Sequence, residues 1–290
     1  MAHKLGIEMP KNAGEAIAIG TKNGSWLWRD APKKEMKAAQ VACKEHMHPA
    51  EGEISPKQAR GSRQKYLIGY TEIKCHIAFG IKLGGEFARK ARFAADGSRA
   101  ELPKAMAYSS AVSRESARIA FLMAGLSGLK VSACGISGAY LSAPAGEKIW
   151  LEAGKECGDE QHGKAMIAAR ALHGAKSAAK AWAGYFQKPL GAMGCKPCKA
   201  GPNAYMKPRR RKDGFKHWPY LLARAGGCAA AGRGPGHAMK RLMKEHKLKN
   251  GTYGEPARYL GANAGISPQA WLTLVNVTKG LRSEEHTSEL

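Results

Sequence analysis

The chain has 290 residues, 44% hydrophobic and 24% charged, with 47 lysines and arginines against 23 acids and a net charge of +24. That is room for one large domain or two ordinary ones of normal globular composition, and the basic excess points to a polyanionic partner, nucleic acid ahead of an acidic membrane surface. No apolar run reaches the ~20 residues of a membrane span, the opening Met-Ala-His-Lys-Leu-Gly has no signal-peptide core, and seven cysteines without repeating spacing fit reduced thiols. The expectation is an intracellular protein, cytoplasmic or nuclear, and not a secreted one.

Residues 1–24 read as irregular, broken by Gly14, Gly20 and Gly24. A helix is expected over 26–45, with Trp26, Leu27, Met36 and Val41 on an apolar side and Lys33, Lys34 and Lys37 on a basic one. Pro32 would be tolerated only in its first turn. Residues 48–64 read as a loop, and strands are expected near 66–70, 73–82 and 87–95. Over 109–127, Val112, Ile119, Leu122, Met123 and Leu126 recur at helical spacing, with Ser109 or Ser110 as the cap. Strands at 130–136, 147–152 and 165–170 precede a helix over 175–192, interrupted by Pro189. Strands at 203–207 and 215–223 lead to a Gly226-Gly227 turn, and a helix over 236–247 and a strand near 259–263 follow. No repeat of 20–50 residues is present. Alternating strands and helices with antiparallel hairpins argue an α+β fold.

Two segments carry the strongest functional signal. Residues 131–144 read Val-Ser-Ala-Cys-Gly-Ile-Ser-Gly-Ala-Tyr-Leu-Ser-Ala-Pro, and residues 220–228 read Tyr-Leu-Leu-Ala-Arg-Ala-Gly-Gly-Cys. The first resembles the leading catalytic strand of reverse transcriptases of the Ty1/copia retrotransposon class, and the second stands where that family has Tyr-Val-Asp-Asp. Other stretches keep the family's order and spacing: Trp28-Arg-Asp-Ala31 with Glu35-Met36, Tyr108-Ser-Ser-Ala-Val-Ser-Arg114, Gly194-Cys-Lys-Pro-Cys-Lys-Ala-Gly-Pro202 and Tyr259-Leu-Gly-Ala262. The resemblance runs from about residue 7 to 264. It implies the fingers and palm of a right-hand polymerase over 25–264, with part of a thumb or connection from about 235 and a truncated end at 265–281.

The same resemblance implies lost chemistry. Polymerases of this kind use two Mg2+ ions about 3.5–4 Å apart, held by carboxylates from separate strands. The family's three aspartates fall at Gly135, Gly226 and Gly227, which have no side chain to offer. Glu147 and Glu152 follow the first motif, but nothing in the pattern brings them to the metals. No cofactor is expected for the chain as it stands, and its enzyme status rests on descent alone.

The frame around those positions is better kept. Tyr140 stands where the family has the aromatic gate against a ribose 2′-hydroxyl; by residue type alone it is a packed tyrosine. Arg89-Lys-Ala-Arg-Phe-Ala-Ala-Asp-Gly97 resembles the fingers hairpin, which implies triphosphate contacts for Lys90 and Arg92; the other reading is a solvated basic edge. Arg170-Ala-Leu-His-Gly-Ala-Lys-Ser-Ala-Ala-Lys-Ala-Trp182 resembles the segment that lies on template-primer, which implies contacts from Lys176, Lys180 and Trp182. His173 replaces a tyrosine there and Ala175 a leucine.

Other signals are weaker. Cys195-Lys-Pro-Cys198 lacks a second pair at zinc spacing, His46-Met-His48 stands alone, and Gly232-Arg-Gly-Pro-Gly236 lacks the ending of a phosphate loop. Lys207-Pro-Arg-Arg-Arg-Lys212 reads as a nuclear signal or, in this frame, a solvated hairpin loop. Only four of the 23 acids are aspartates, while glycine reaches 35 residues. Departures from the family are mostly Asp to Gly, Val to Ala and Tyr to His, each one transition in the codon, with Gly20, Gly80 and Gly201 as further candidates. Returning those aspartates leaves the chain strongly basic. The last nine residues, Arg282 to Leu290, resemble a translated sequencing adapter. The sequence thus reads as a degenerate reverse transcriptase domain that has lost catalysis, with a basic nucleic-acid-binding remnant or a functionless pseudogene translation as alternatives; its partner by descent is an RNA/DNA template-primer.

Overall fold

The computed structural model describes residues 2–45, 69–82, 87–97, 112–126, 128–157, 159–199, 201–207, 209–210, 216–217, 220–224, 227–232, 235–249, 252–256, 258–259, 262–266 and 272–276. In chain order the first elements are β1 (Ala2–Lys4), β2 (Ile7–Met9), α1 (Ala13–Asn23), α2 (Leu27–Ala39), β3 (Cys43–Glu45), β4 (Thr71–Glu72), β5 (Cys75–Ile81) and β6 (Arg89–Ala95). There follow α3 (Arg114–Leu126), β7 (Lys130–Gly135), α4 (Ala139–Ser142), β8 (Ile149–Glu152), β9 (Ala165–Ala168) and α5 (Ala178–Ala192). The rest are β10 (Lys196–Pro197), β11 (Ala204–Met206), β12 (Arg209–Arg210), β13 (Lys216–His217), β14 (Tyr220–Arg224), β15 (Gly227–Gly232), α6 (Pro235–Glu245), β16 (Arg258–Tyr259), β17 (Ala262–Ile266) and β18 (Leu272–Asn276). The mixture of helices with largely antiparallel strands is the expected α+β class. The chain forms two compact units, each from two stretches: 1–109 with 140–185, and 110–139 with 186–290.

The first unit holds a four-stranded sheet in the order β3-β9-β8-β4 and the hairpin β5–β6. The hairpin alternates cleanly, with Ala91, Phe93 and Ala95 inward and Arg92 outward, as a half-buried strand should. Its core joins Ile73, Ile77, Phe93, Leu141, Ile149, Leu151 and Leu172. The N-terminal 24 residues are not irregular. β1 and β2 pair as a hairpin, and α1 is capped at both ends: Asn12 Oδ1 accepts from the Glu15 N–H at 2.9 Å, and Gly24, left-handed at φ 62°, closes the helix onto the Gly20 carbonyl. The glycines read as breakers are thus a helix interior and a C-cap.

The second expected helix is shorter than 26–45. α2 stops at Ala39, passes through a 3-10 turn, and Cys43–Glu45 pairs with β9. Trp28, not Trp26 or Leu27, is its buried anchor, edge-on to Phe79 at 5.7 Å. Pro32 lies in the second turn, where it removes the bond to the Trp28 carbonyl. Pro189 likewise does not interrupt α5, which runs through it to Ala192.

The second unit is built on a five-stranded antiparallel sheet in the order β10-β11-β14-β15-β7, with β16-β17-β18 as a second sheet. α3 starts at Arg114, and its cap is Ser113, whose hydroxyl accepts from the Ser116 N–H at 3.0 Å, rather than Ser109 or Ser110, which lie outside the described residues. Its packing face is Ala117, Ala120, Phe121 and Ala124, set against Val131, Ala229, Ala231 and Tyr259. Ile119, Leu122, Met123 and Leu126, the stripe that reveals the helix in the sequence, face outward and are 38–63% exposed. The Lys207–Lys212 run contributes one strand of the small hairpin β12–β13. The loop at 48–64, the strand at 66–68 and the adapter-like tail lie outside the described residues.

Candidate functional site

In the second unit, Gly135 is the last residue of β7 and Gly227 the first of β15, and the two are register partners across the antiparallel pair. At the same end Arg224 of β14 is the register partner of Gly227, and Gly226 lies outside the described residues. Two of the three sequence-selected positions therefore meet at one end of adjacent strands.

A closed backbone network holds that end. The Lys249 N–H donates to the Gly135 carbonyl at 2.9 Å. The Gly135 N–H donates to Thr252 Oγ1 at 3.0 Å, and that hydroxyl donates to the Lys249 carbonyl at 2.7 Å. A Cβ at 135 would lie 3.1 Å from Lys249 Cδ and 3.3 Å from Thr252 Oγ1. The neighbours are a flexible stem and a hydroxyl, so a side chain fits once the lysine swings aside. As the residues stand, the donor set does not suit Mg2+, which takes hard oxygen ligands and here finds a lysine stem and two glycines. Among the described residues, no three His, Cys, Asp or Glu side chains converge as metal ligands.

The other glycines read as former aspartates separate on the same test. Gly80 is open, with nothing within 4 Å of where a Cβ would stand, and Gly201 would meet Ser116 Oγ at 3.0 Å. Gly20 would place its Cβ 2.8 Å from the Ser25 carbonyl, a backbone atom that cannot swing away. Of these positions, Gly20 is the one where an aspartate demands a backbone shift.

In the first unit, Lys90, Arg92 and Tyr140 are brought to one histidine. β6 places Lys90 and Arg92 on its outer face. Residues 142–145 run against 169–171, through Ala145 N–H to Ala169 O, Ala171 N–H to Ala143 O and Arg170 Nη1 to Ser142 O. His173 then continues alongside β6, bridged to Ala94, with its carbonyl accepting from the Ala95 N–H at 2.7 Å. The Tyr140 and His173 rings lie 5.1 Å apart. Burial first, then the positive charges of Arg92 and Lys90, push the His173 pKa down to about 4, so it is neutral at pH 7. The cluster sets two cations beside an aromatic ring and a neutral imidazole.

A pair of glycines makes that arrangement possible. Gly174 is left-handed at φ 83°, and a Cβ there would collide with the Ala95 carbonyl. A Cβ at Gly97 would collide with the Gly174 carbonyl. The two backbones pass too closely for any side chain.

Of the residues assigned to template-primer by resemblance, Lys180 is exposed and Lys176 half-buried. Trp182 is only 4% exposed and 6.3 Å from Tyr185, so its ring is a packing element rather than a stacking platform. Glu147 has a role the sequence did not disclose: its carboxylate accepts from the Ser177 N–H at 2.7 Å and caps α5. Cys195 and Cys198 are half-buried and not disulfide-bonded, and His46-Met-His48 lies outside the described residues. No helix of the described residues is long and apolar enough to cross a membrane. No protein-family model matches the chain, and a search of curated proteins returns no match.

Proposed function

We propose that the chain is a reverse transcriptase domain of the Ty1/copia class by descent, built as fingers and palm, that no longer polymerises DNA. The observation that carries the reading is the register pairing of Gly135 with Gly227. Two motifs ninety-odd positions apart, matched separately to catalytic segments, end side by side, where carboxylates would converge on a metal pair. Two units, each made from two interleaved chain stretches, suit an architecture in which the chain leaves the palm for the fingers and returns. Lys90, Arg92 and Tyr140 around His173 suit a site that once held a nucleoside triphosphate. The glycines remove the chemistry, since neither Gly135 nor Gly227 can ligate Mg2+.

Primer extension on an RNA template with Mg2+ and deoxynucleoside triphosphates tests this. The chain should incorporate nothing, and the triple variant G135D/G226D/G227D should incorporate nucleotides. Extension by the unaltered chain would overturn the loss of catalysis. A folded triple variant that binds primer-template yet stays inert would overturn the descent.

A second reading is favoured by the net charge of +24 and the outward Lys90 and Arg92: a sequence-independent nucleic-acid binder on the same surface. It requires log K to fall linearly with log salt. Binding unchanged between about 50 and about 300 mM salt would exclude it. If neither activity is present and no cooperative melting is seen, the chain is the translation of a dead copy.

A further inference from the structure

We propose that Cys134 and Cys228 are a site of reversible oxidation, forming a disulfide that staples β7 to β15 beside positions 135 and 227. The inference stands apart from the polymerase reading. The two cysteines are register partners in the antiparallel pair, and their sulfurs lie 3.3 Å apart without being bonded. Directly opposed residues in such a pair have Cα atoms about 4.5–5.5 Å apart, inside the span a disulfide bridges. Closing the bond draws the sulfurs from 3.3 Å to about 2.05 Å. The surroundings are apolar: Met239 Sδ lies 3.8 Å from Cys228 Sγ.

The two thiols are not equivalent. Cys134 lies on the sheet's terminal strand and keeps a little exposure, while Cys228 is the more deeply buried. The hydrogen bond between them lowers the pKa of Cys134 and raises that of Cys228. Cys134, the more exposed of the two, is the attacking group. With a small disulfide such as oxidised glutathione, the Cys134 thiolate displaces one glutathione thiolate and forms a mixed disulfide. Cys228 then attacks the Cys134 sulfur, losing its proton and releasing the second glutathione. Two protein thiols are oxidised and one glutathione disulfide is reduced to two thiols. Three other cysteines provide a contrast: burial pushes Cys43 up to about 12, Cys157 up to about 11 and Cys75 higher still, so they remain protonated and slow.

The test uses the full chain, reduced and then equilibrated in glutathione buffers of increasing oxidised fraction. Free thiols are alkylated and the peptides mapped by mass spectrometry. The expected result is one dominant linkage, 134 to 228, absent when oxidation is done in denaturant, with a melting temperature raised by roughly 5–10 °C. Cys134→Ser and Cys228→Ser should each abolish linkage and shift, while a variant with the other five cysteines changed to serine should keep both. Linkages spread over the other cysteines, or both thiols still alkylated after excess diamide, would overturn the site. A 134–228 linkage that leaves the melting temperature unchanged or lower would overturn the staple.

Discussion

The core cluster around Leu151 in the first unit and the one under α3 in the second are filled differently. In the first, large side chains do the filling: Ile73, Phe93, Ile149, Leu151 and Leu172 sit together with almost no exposure. In the second, α3 presents Ala117, Ala120 and Ala124 to a strand that answers with Ala229 and Ala231, and Val112, Phe121, Leu129, Val131 and Tyr259 close the cluster around them. Each buried methylene contributes about 0.8 kcal/mol, so a leucine-and-isoleucine core gains far more per residue than an alanine one. Alanine on both sides compensates partly by letting helix and sheet approach closely. The comparison teaches that the α3 face is held by close helix–sheet approach and a continuous hydrogen-bonded sheet, while the second unit buries its large side chains elsewhere, at Ile136, Leu190, Met239 and Leu242.

The largest expected effect is therefore in the first unit. Leu151, 1% exposed at the centre of its core, should cost about 2–5 kcal/mol on truncation to alanine. Ala229→Gly in the second unit should cost only about 0.5–1 kcal/mol. Chemical denaturation of both variants checks the ratio, and equal losses would break the comparison.

How much of this was legible in the sequence differs between the units in the same way. The strands β5 and β6 were readable because Ile77, Phe79 and Ile81 recur at every second residue with smaller residues between them, and Phe93 is flanked by Arg92 and Ala94. The existence of α3 was also readable, but not its packing face, because alanine and glycine barely register beside Ile119, Leu122 and Leu126. The N-terminal helix was missed because Gly14, Gly20 and Gly24 look like breakers until Asn12 and Gly24 are seen as caps. At the site, the convergence of 135 and 227 followed from the motifs. The Lys249–Thr252 network and the Glu147 cap had no local signature, since they depend on contacts distant in sequence.

The next test falls on the close glycine pair of the first unit. Gly174→Ala must force φ 83° on a Cβ that collides with the Ala95 carbonyl. Gly163→Ala meets the same handedness at φ 81° with nothing within 4 Å. The second should cost about 1 kcal/mol for the backbone alone. The first should cost clearly more, about 2–3 kcal/mol. Equal destabilisation would show that the backbones are not in contact.

Acid should act through His173. It is held neutral when folded, with a pKa of about 4, and titrates near 6.5 otherwise. The unfolded chain therefore takes up a proton that the folded chain refuses. Stability is complete above about pH 6.5 and is lost as pH falls from there toward 4, by on the order of 1–2 kcal/mol once solvent screening is allowed for. His173→Phe should remove that part of the acid loss. The readout is the difference between the two stability–pH curves, which cancels the carboxylates common to both. A constant difference between pH 7 and 4 would mean that the imidazole is freely hydrated.

The smallest effect gives the sharpest test of the alanine core. Leu122→Lys and Leu126→Lys replace large apolar side chains on α3 that are 47% and 57% exposed. If this face is outside, each should change stability by less than about 0.5 kcal/mol, because lysine is a good helix former and little area is lost. Ala124→Leu, on the fully buried face, enlarges a side chain that the sequence alone would regard as harmless. It should cost about 1–3 kcal/mol by pushing the helix off Ala229 and Ala231. The opposite ranking would place the leucine stripe inside. In that case the cluster under α3 would be filled like the one around Leu151, and the contrast between area and close approach would vanish.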